Sequence, residues 1–428
     1  MENAIIIVFV GLLVFASHVF TGIFERKRIP DVLLLMLIGL LLGPIFGLIT
    51  PSDFGIAGPM FTTITLVIIL FEGGLALNIE TIKQSIRGTT ALTFTSFFVT
   101  VVVIGLIAWL AFGLSLVAGL MLGAIVGGTS SAVIIPMTQH LKIKDDSKAI
   151  LVLESAINDV LCIVFALALL ETFFVEEVKI GLVVGKIISS FILAAIMGWL
   201  GAMAWSFFLN KIRMIRNNMF TTPAFVFVIY GIAEILGFSG AISSLAFGIT
   251  LANVDMFYIG FMKKHITNKS ISLNETEKIF FSEIVFLLKT FFFVYIGLSI
   301  QLQNVLAMAL GLLVTIVLFC LRIPVVRFSI RQAIPTFDMV MFSVMVPKGL
   351  AAAALASLPF QRGLEGGEFI RDITYAIILF SIIFSSLLVP AVEKYPRFRS
   401  FYGLFLRTGI VKRKQSKTPV PSDDGKVE

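Results

Sequence analysis

Glu154, Ser155, Asn158 and Asp159 lie together in the run Glu154-Ser155-Ala156-Ile157-Asn158-Asp159, inside an apolar stretch from Lys148 to Leu170. Such a stretch is long enough to cross a bilayer. A charged side chain at the centre of a membrane helix costs roughly 2.5 to 3.5 kcal/mol on insertion scales, so an acid held there reads by default as an ion or proton site. In a helix Ser155 stacks over Asp159 and Glu154 over Asn158. Ser155, Asn158 and Asp159 then fall within about 100° of one another around the axis. That face offers a carboxylate, a hydroxyl and an amide to a hard monovalent cation. Glu154 has a different first reading, as one half of a structural ion pair.

Two interruptions bring further oxygens to membrane depth. One apolar run carries Gly127-Gly128-Thr129-Ser130-Ser131 in its middle and Pro136 a little later; another carries Pro347-Lys348-Gly349. A helix broken inside a membrane exposes backbone groups that lipid cannot satisfy, so it must face protein or line a cavity. Half-helix ends then offer positive dipole ends on one side and free carbonyls on the other. The hydroxyls of Thr129, Ser130 and Ser131 add neutral oxygens. A Gly/Ser packing notch is the competing reading of the first interruption.

The elements that must hold these residues are membrane spans. The chain has 428 residues, 58% apolar and 14% charged, with a mean hydropathy of +1.02; a soluble domain carries far more charge. Runs of about 20 apolar residues recur, and they read as thirteen spans at 3–20, 30–49, 59–77, 90–112, 116–139, 149–170, 181–209, 221–236, 240–257, 279–300, 305–326, 338–358 and 372–391. Only Gly237-Phe238-Ser239-Gly240 divides the eighth from the ninth. No basic residue precedes the first run, and no small-residue cleavage site closes it before Glu25, so it reads as a retained span. Cys162 and Cys320 both lie in apolar runs and read as free core thiols.

Charge decides between twelve spans and thirteen. With thirteen spans and the N-terminus outside, all of the 33 basic residues fall on the inner side except Lys179, Lys186, Lys289, Arg322, Lys348, Arg362 and Arg371. Merging the eighth and ninth spans would put the later basic loops on the wrong face, so the positive-inside rule favours thirteen, with the C-terminus cytoplasmic. An odd linker span between two groups of six makes the groups inverted repeats, and the two interruptions then fall at matching places. The expected fold is therefore an all-α polytopic membrane protein with two discontinuous crossing helices. Residues 1–392 form its transmembrane domain, and 393–428 a basic cytoplasmic tail near anionic lipid, disordered beyond about Gln415.

Lys289, Arg322 and Lys348 are cations within apolar runs and need partners. Arg322 with Glu154 is the first expected pairing, and Lys348 compensates the carbonyl ends of its own broken helix. Glu72, in Phe71-Glu72-Gly73-Gly74, has two open readings: the mouth of an ion-access funnel or a snorkelling side chain.

Phe71-Glu72-Gly73-Gly74, the break at Thr129, the Glu-Ser-x-x-Asn-Asp run, Arg322 and Val346-Pro347-Lys348-Gly349-Leu350 together resemble the sodium/proton exchangers of the monovalent cation:proton antiporter superfamily, in the branch of prokaryotic NhaP-type antiporters. The resemblance implies a homodimer in the cell membrane and an elevator-like movement of a six-helix core. It implies that Asp159 is the shared cation and proton carboxylate, that Ser155 and the Thr129 carbonyl are ligands for sodium or potassium, that Asn158 orients Asp159, and that Glu154 pairs with Arg322. Such exchangers commonly carry Thr-Asp-Pro at the break. Here Ser130 and Ser131 replace the Asp and the Pro, and Lys348 stands where Arg is usual. The missing carboxylate removes one ligand charge, so potassium and lithium stand beside sodium as cargo.

Burial favours the protonated form of a carboxylate and a nearby cation the ionised form, so one aspartate can alternate between the two cargoes. One-for-one exchange then moves no net charge. No metal cofactor, other cofactor or nucleic-acid partner is expected. A cation channel fits less well, because no filter-like repeat occurs. An intramembrane enzyme fits less well still: His18, His140 and His265 are scattered and no His-Glu-x-x-His exists.

Overall fold

The structure, a computed structural model, describes residues 2–27, 30–55, 57–76, 79–139, 141–173, 180–212, 219–257, 273–330 and 334–406. Among these residues all repetitive structure is helical. In chain order the helices are α1 (Glu2–Lys27), α2 (Asp31–Leu40), α3 (Ala57–Ala76), α4 (Ile79–Ala111), α5 (Leu116–Ile125), α6 (Ser131–Gln139), α7 (Asp145–Thr172), α8 (Ile180–Ile212), α9 (Thr221–Ile235), α10 (Gly240–Ala252), α11 (Val254–Phe257), α12 (Glu275–Ser299), α13 (Val305–Ser329), α14 (Thr336–Val344), α15 (Leu350–Gln361), α16 (Gly367–Lys394) and α17 (Pro396–Leu406). Thr89–Ala111, Asp145–Thr172, Phe191–Leu209, Glu275–Ser299, Val305–Ser329 and Gly367–Lys394 are long and apolar enough to cross a membrane, and shorter apolar helices accompany them.

Local sequence sets the boundaries. Ser115 accepts from the Ala118 amide at the start of α5, and Asn304 from the Ala307 amide at the start of α13. Asn274 and Glu277 form a reciprocal capping box on α12. Pro30 and Pro335 precede α2 and α14, where the missing N–H is no loss. Gly237 takes a φ of 76° after α9, a left-handed conformation open to glycine at little cost. The eighth and ninth apolar runs are therefore two helices.

One stretch departs from the expected outline. The second apolar run ends in a π-helical turn, Leu41–Ile45, around Pro44, whose missing N–H loosens the ladder there. The tail opens with an ordered helix, α17, tied to α13 by Arg327 Nη1 donating to the Phe405 carbonyl at 2.9 Å; the stretch beyond Gln415 lies outside the described residues. Cys162 is buried, but Cys320 faces outward and is no core thiol.

The apolar interior has two parts. The larger surrounds α4, α5, α6, α7 and α12 to α16; a smaller one, built on Phe71, Trp205, Val226 and Phe247, joins α3 to α8, α9 and α10. α7 is the central post of the larger part. Its first turn is fixed to α14, because buried Asp338 accepts from Ser147 Oγ at 2.7 Å and from the Lys144 amide at 3.2 Å.

Candidate ion site at the crossed breaks

The chain leaves helical conformation twice within the larger core: over Val126–Ser130, between α5 and α6, and over Met345–Gly349, between α14 and α15. The two breaks meet. The Ser130 amide donates to the Pro347 carbonyl at 2.8 Å, and Lys348 Nζ donates to the Gly128 carbonyl at 2.7 Å, so Lys348 compensates a carbonyl of the first break rather than the expected ends of its own broken helix. The Lys348 amide donates to Ser381 Oγ of α16 at 2.9 Å. Each break thus supplies partners for backbone groups that the other exposes, which answers the desolvation problem of an interrupted helix.

Close approach requires glycine on both strands. A Cβ on Gly349 would collide with the side chain of Ser130, and one on Gly128 would lie 2.6 Å from Cys162 Sγ and 3.2 Å from the Asn158 carbonyl oxygen. The first break therefore lies against the face of α7 that carries Asn158 and Cys162.

The two acids of α7 have unlike surroundings. Glu154 is 1% exposed and faces the Arg322 guanidinium with both oxygens, the Nη2–Oε2 contact being 2.6 Å. Arg322 also donates to Ser96 Oγ at 2.8 Å and to the Phe342 carbonyl at 2.9 Å. This one side chain ties α4, α7, α13 and α14 together, and a planar guanidinium suits such multipoint binding. Asp159 is half-buried, and its Oδ2 accepts a hydrogen bond from Ser131 Oγ at 2.6 Å. Among the described residues no lysine or arginine pairs with it. Lys289 is taken by Asp31 on α2, at 2.9 Å.

The remaining expected residues are close by, but not all turn toward Asp159. Ser155 is fully buried and donates to its own helix at the Val152 carbonyl, 2.9 Å away. Thr129 and Ser130 lie in the break and are buried; Ser130 Oγ has no hydrogen-bond partner. Asn158 is fully buried, and neither its amide oxygen nor its nitrogen has a partner. Buried polar groups are almost always satisfied; these three atoms, one in the first break and two on the residue before Asp159, are exceptions. Glu72, half-buried on α3, is within electrostatic reach of both Asp159 and Lys289.

Sequence reasoning missed Ser131 as the direct partner of Asp159, although it noted the hydroxyl. It also missed Ser96, Ser381, Asp31 and the Pro347 carbonyl. Ser131 could have been found by placing it first in the half-helix after the break, where side chains point back toward the gap.

Described residues whose repetitive structure is all helical, with crossed interrupted helices and an acid facing them, are the arrangement of polytopic membrane transporters. The sequence matches the family described as sodium/hydrogen exchanger, transmembrane, over residues 8–394, and the chain belongs to that family. It is 32% identical over 180 residues to "Na(+)/H(+) antiporter 1" of Methanocaldococcus jannaschii, a match covering 40% of this chain and 41% of the relative. It is 33% identical over 166 residues to "K(+)/H(+) antiporter NhaP" of Alkalimonas amylolytica, covering 38% of this chain and 29% of the relative. The matched stretches thus span less than half of these relatives. A solved structure, the sodium proton antiporter MjNhaP1 from Methanocaldococcus jannaschii at pH 8, superposes with a TM-score of 0.72 at 23% identity, covering 90% of this chain and all of that one.

Proposed function

We propose that this protein is a secondary antiporter that exchanges a monovalent cation for protons at Asp159. The observation that carries the reading is the contrast on α7: Glu154 is neutralised at both oxygens by Arg322, whereas Asp159 faces the crossed breaks with a neutral hydroxyl as its donor. An unpaired carboxylate at membrane depth is costly as a bare anion. It crosses with a proton or with a metal ion, and the two compete for the same oxygens. Asp159, Ser155 and the Thr129 carbonyl, with Ser130 beside them, form the cation site in this reading; Asn158 is the neighbouring residue on α7 and its amide makes no hydrogen bond to Asp159. Glu72 stands where a cation would approach.

Sodium is the first cargo, with lithium beside it. Potassium is the second reading, favoured by neutral Ser130 and by the name of the Alkalimonas relative. Thirteen spans in two inverted six-helix repeats, a homodimer in the cell membrane, and an outside N-terminus with an inside C-terminus complete the proposal. With a single titrating carboxylate the exchange is one for one and electroneutral.

The test is proton efflux from acid-loaded everted vesicles on separate addition of sodium, lithium and potassium chloride, read by acridine-orange dequenching. Dequenching by sodium and lithium supports the first reading, and by potassium the second. Silence with all three overturns the antiporter assignment.

A further inference from the structure

Ser131 opens α6 and donates its hydroxyl to Asp159 Oδ2 at 2.6 Å. Among the described side chains no other donates to that carboxylate. Next to it, Ser130 Oγ is buried, lies under Gly349 and has no partner. One hydroxyl of this pair is thus committed to the carboxylate, and the other is unoccupied.

A hydroxyl donated to a carboxylate makes a short bond that commits one oxygen to the donor and leaves the other for a further ligand. It also fixes the rotamer of a short side chain that Asn158, without any hydrogen bond of its own, does not fix. The same hydroxyl brings no charge, so the field at the site comes from Asp159 with Glu72 at longer range. The other titratable or charged groups nearby are Cys162 on α7, Lys348 from the second break, and the Glu154–Arg322 pair. None of them hydrogen-bonds to Asp159.

We infer that Ser131 is a positioning residue of the exchange site: by holding Asp159 Oδ2 it fixes the rotamer of that carboxylate beside the crossed breaks, and so sets the cation concentration at which exchange begins. This rests on the assignment of Asp159 as the exchange carboxylate. Without the donor the carboxylate can turn away from the breaks, so the cation binds only at higher concentration.

The experiment is cation-driven proton flux in proteoliposomes of the wild type, Ser131→Ala and Ser131→Thr, measured against pH and cation concentration with sodium, lithium and potassium. Ser131→Ala is expected to raise the apparent KM for the cation at fixed pH about tenfold, with the maximal rate little changed. Ser131→Thr, which keeps the hydroxyl, restores the wild-type profile. Ser131→Cys, of similar shape and a weaker donor, carries the same test should the alanine variant fail to fold. An alanine or cysteine variant with unchanged KM overturns the inference. Silence of the wild type with all three cations overturns the antiporter reading instead.

Discussion

Glu154 and Asp159 lie on the same helix, five residues or about 7.5 Å apart along its axis, yet they are held in opposite ways. Glu154 is fixed by Arg322, which is itself held by Ser96 and the Phe342 carbonyl. Nothing about that carboxylate is available to a mobile ion. Asp159 is held by Ser131, through its hydroxyl and its backbone amide, near polar atoms of Ser130 and Asn158 that have no partner. A buried acid with a resident cation acts as a structural tie, whereas one without a resident cation has room for a mobile cargo. The two breaks differ in a parallel way: the second brings a cation, Lys348, and the first accepts it through the Gly128 carbonyl and contributes hydroxyls.

The sharpest way to break this comparison is to exchange each acid for its amide. Asp159→Asn should reduce cation-driven proton flux in proteoliposomes to the level of empty liposomes, while the purified protein elutes and melts as the wild type does. Glu154→Gln should act first on stability, because it leaves Arg322 buried without a countercharge; removing one partner of such a pair costs about 3 to 5 kcal/mol. A large fall in the melting temperature of the detergent-solubilised protein would show this, with partial recovery in Glu154→Leu combined with Arg322→Met. Wild-type melting of Glu154→Gln, together with lost flux, would erase the distinction between the two acids.

Smaller effects sharpen the account of the crossing. Gly349→Ala places a methyl group on Ser130 and should lower flux about tenfold through misplacement of the break, a size typical of small shifts at a working site. Lys348→Met should cost more than Lys348→Arg, since arginine retains a donor for the Gly128 carbonyl; comparing maximal rates checks the order. Smallest of all, the flux should not respond to membrane potential clamped with potassium and valinomycin, with sodium as the driven ion. Each uncompensated charge would couple at about 2.3 kcal/mol per 100 mV.

The helical framework is legible in the sequence because apolar length and basic loops mark it directly. Gly237 already separates the eighth run from the ninth, and the positive-inside count gives the same division. The breaks are legible from glycine and proline at membrane depth. The candidate site is legible only as a set of residues. Three buried cations compete for Glu154, and spacing does not tell which lies opposite; that Lys289 is taken by Asp31 depends on how α2 packs against α12. Ser131 and Ser130 are neighbours of the same type, yet one reaches Asp159 and the other lies beneath Gly349. That difference comes from the path of the break, which no periodicity encodes. The π-helical turn at Pro44 and the docking of α17 likewise follow from tertiary contacts.

The central claim is that one carboxylate exchanges a proton for a cation. It is tested most directly by stepping sodium chloride, and then potassium chloride, onto purified protein in lightly buffered detergent solution and measuring proton release with an indicator dye. About one proton per bound cation is expected from the wild type, and none from Asp159→Asn. Release that persists in Asp159→Asn, or cation binding by the wild type without any release, would contradict the account.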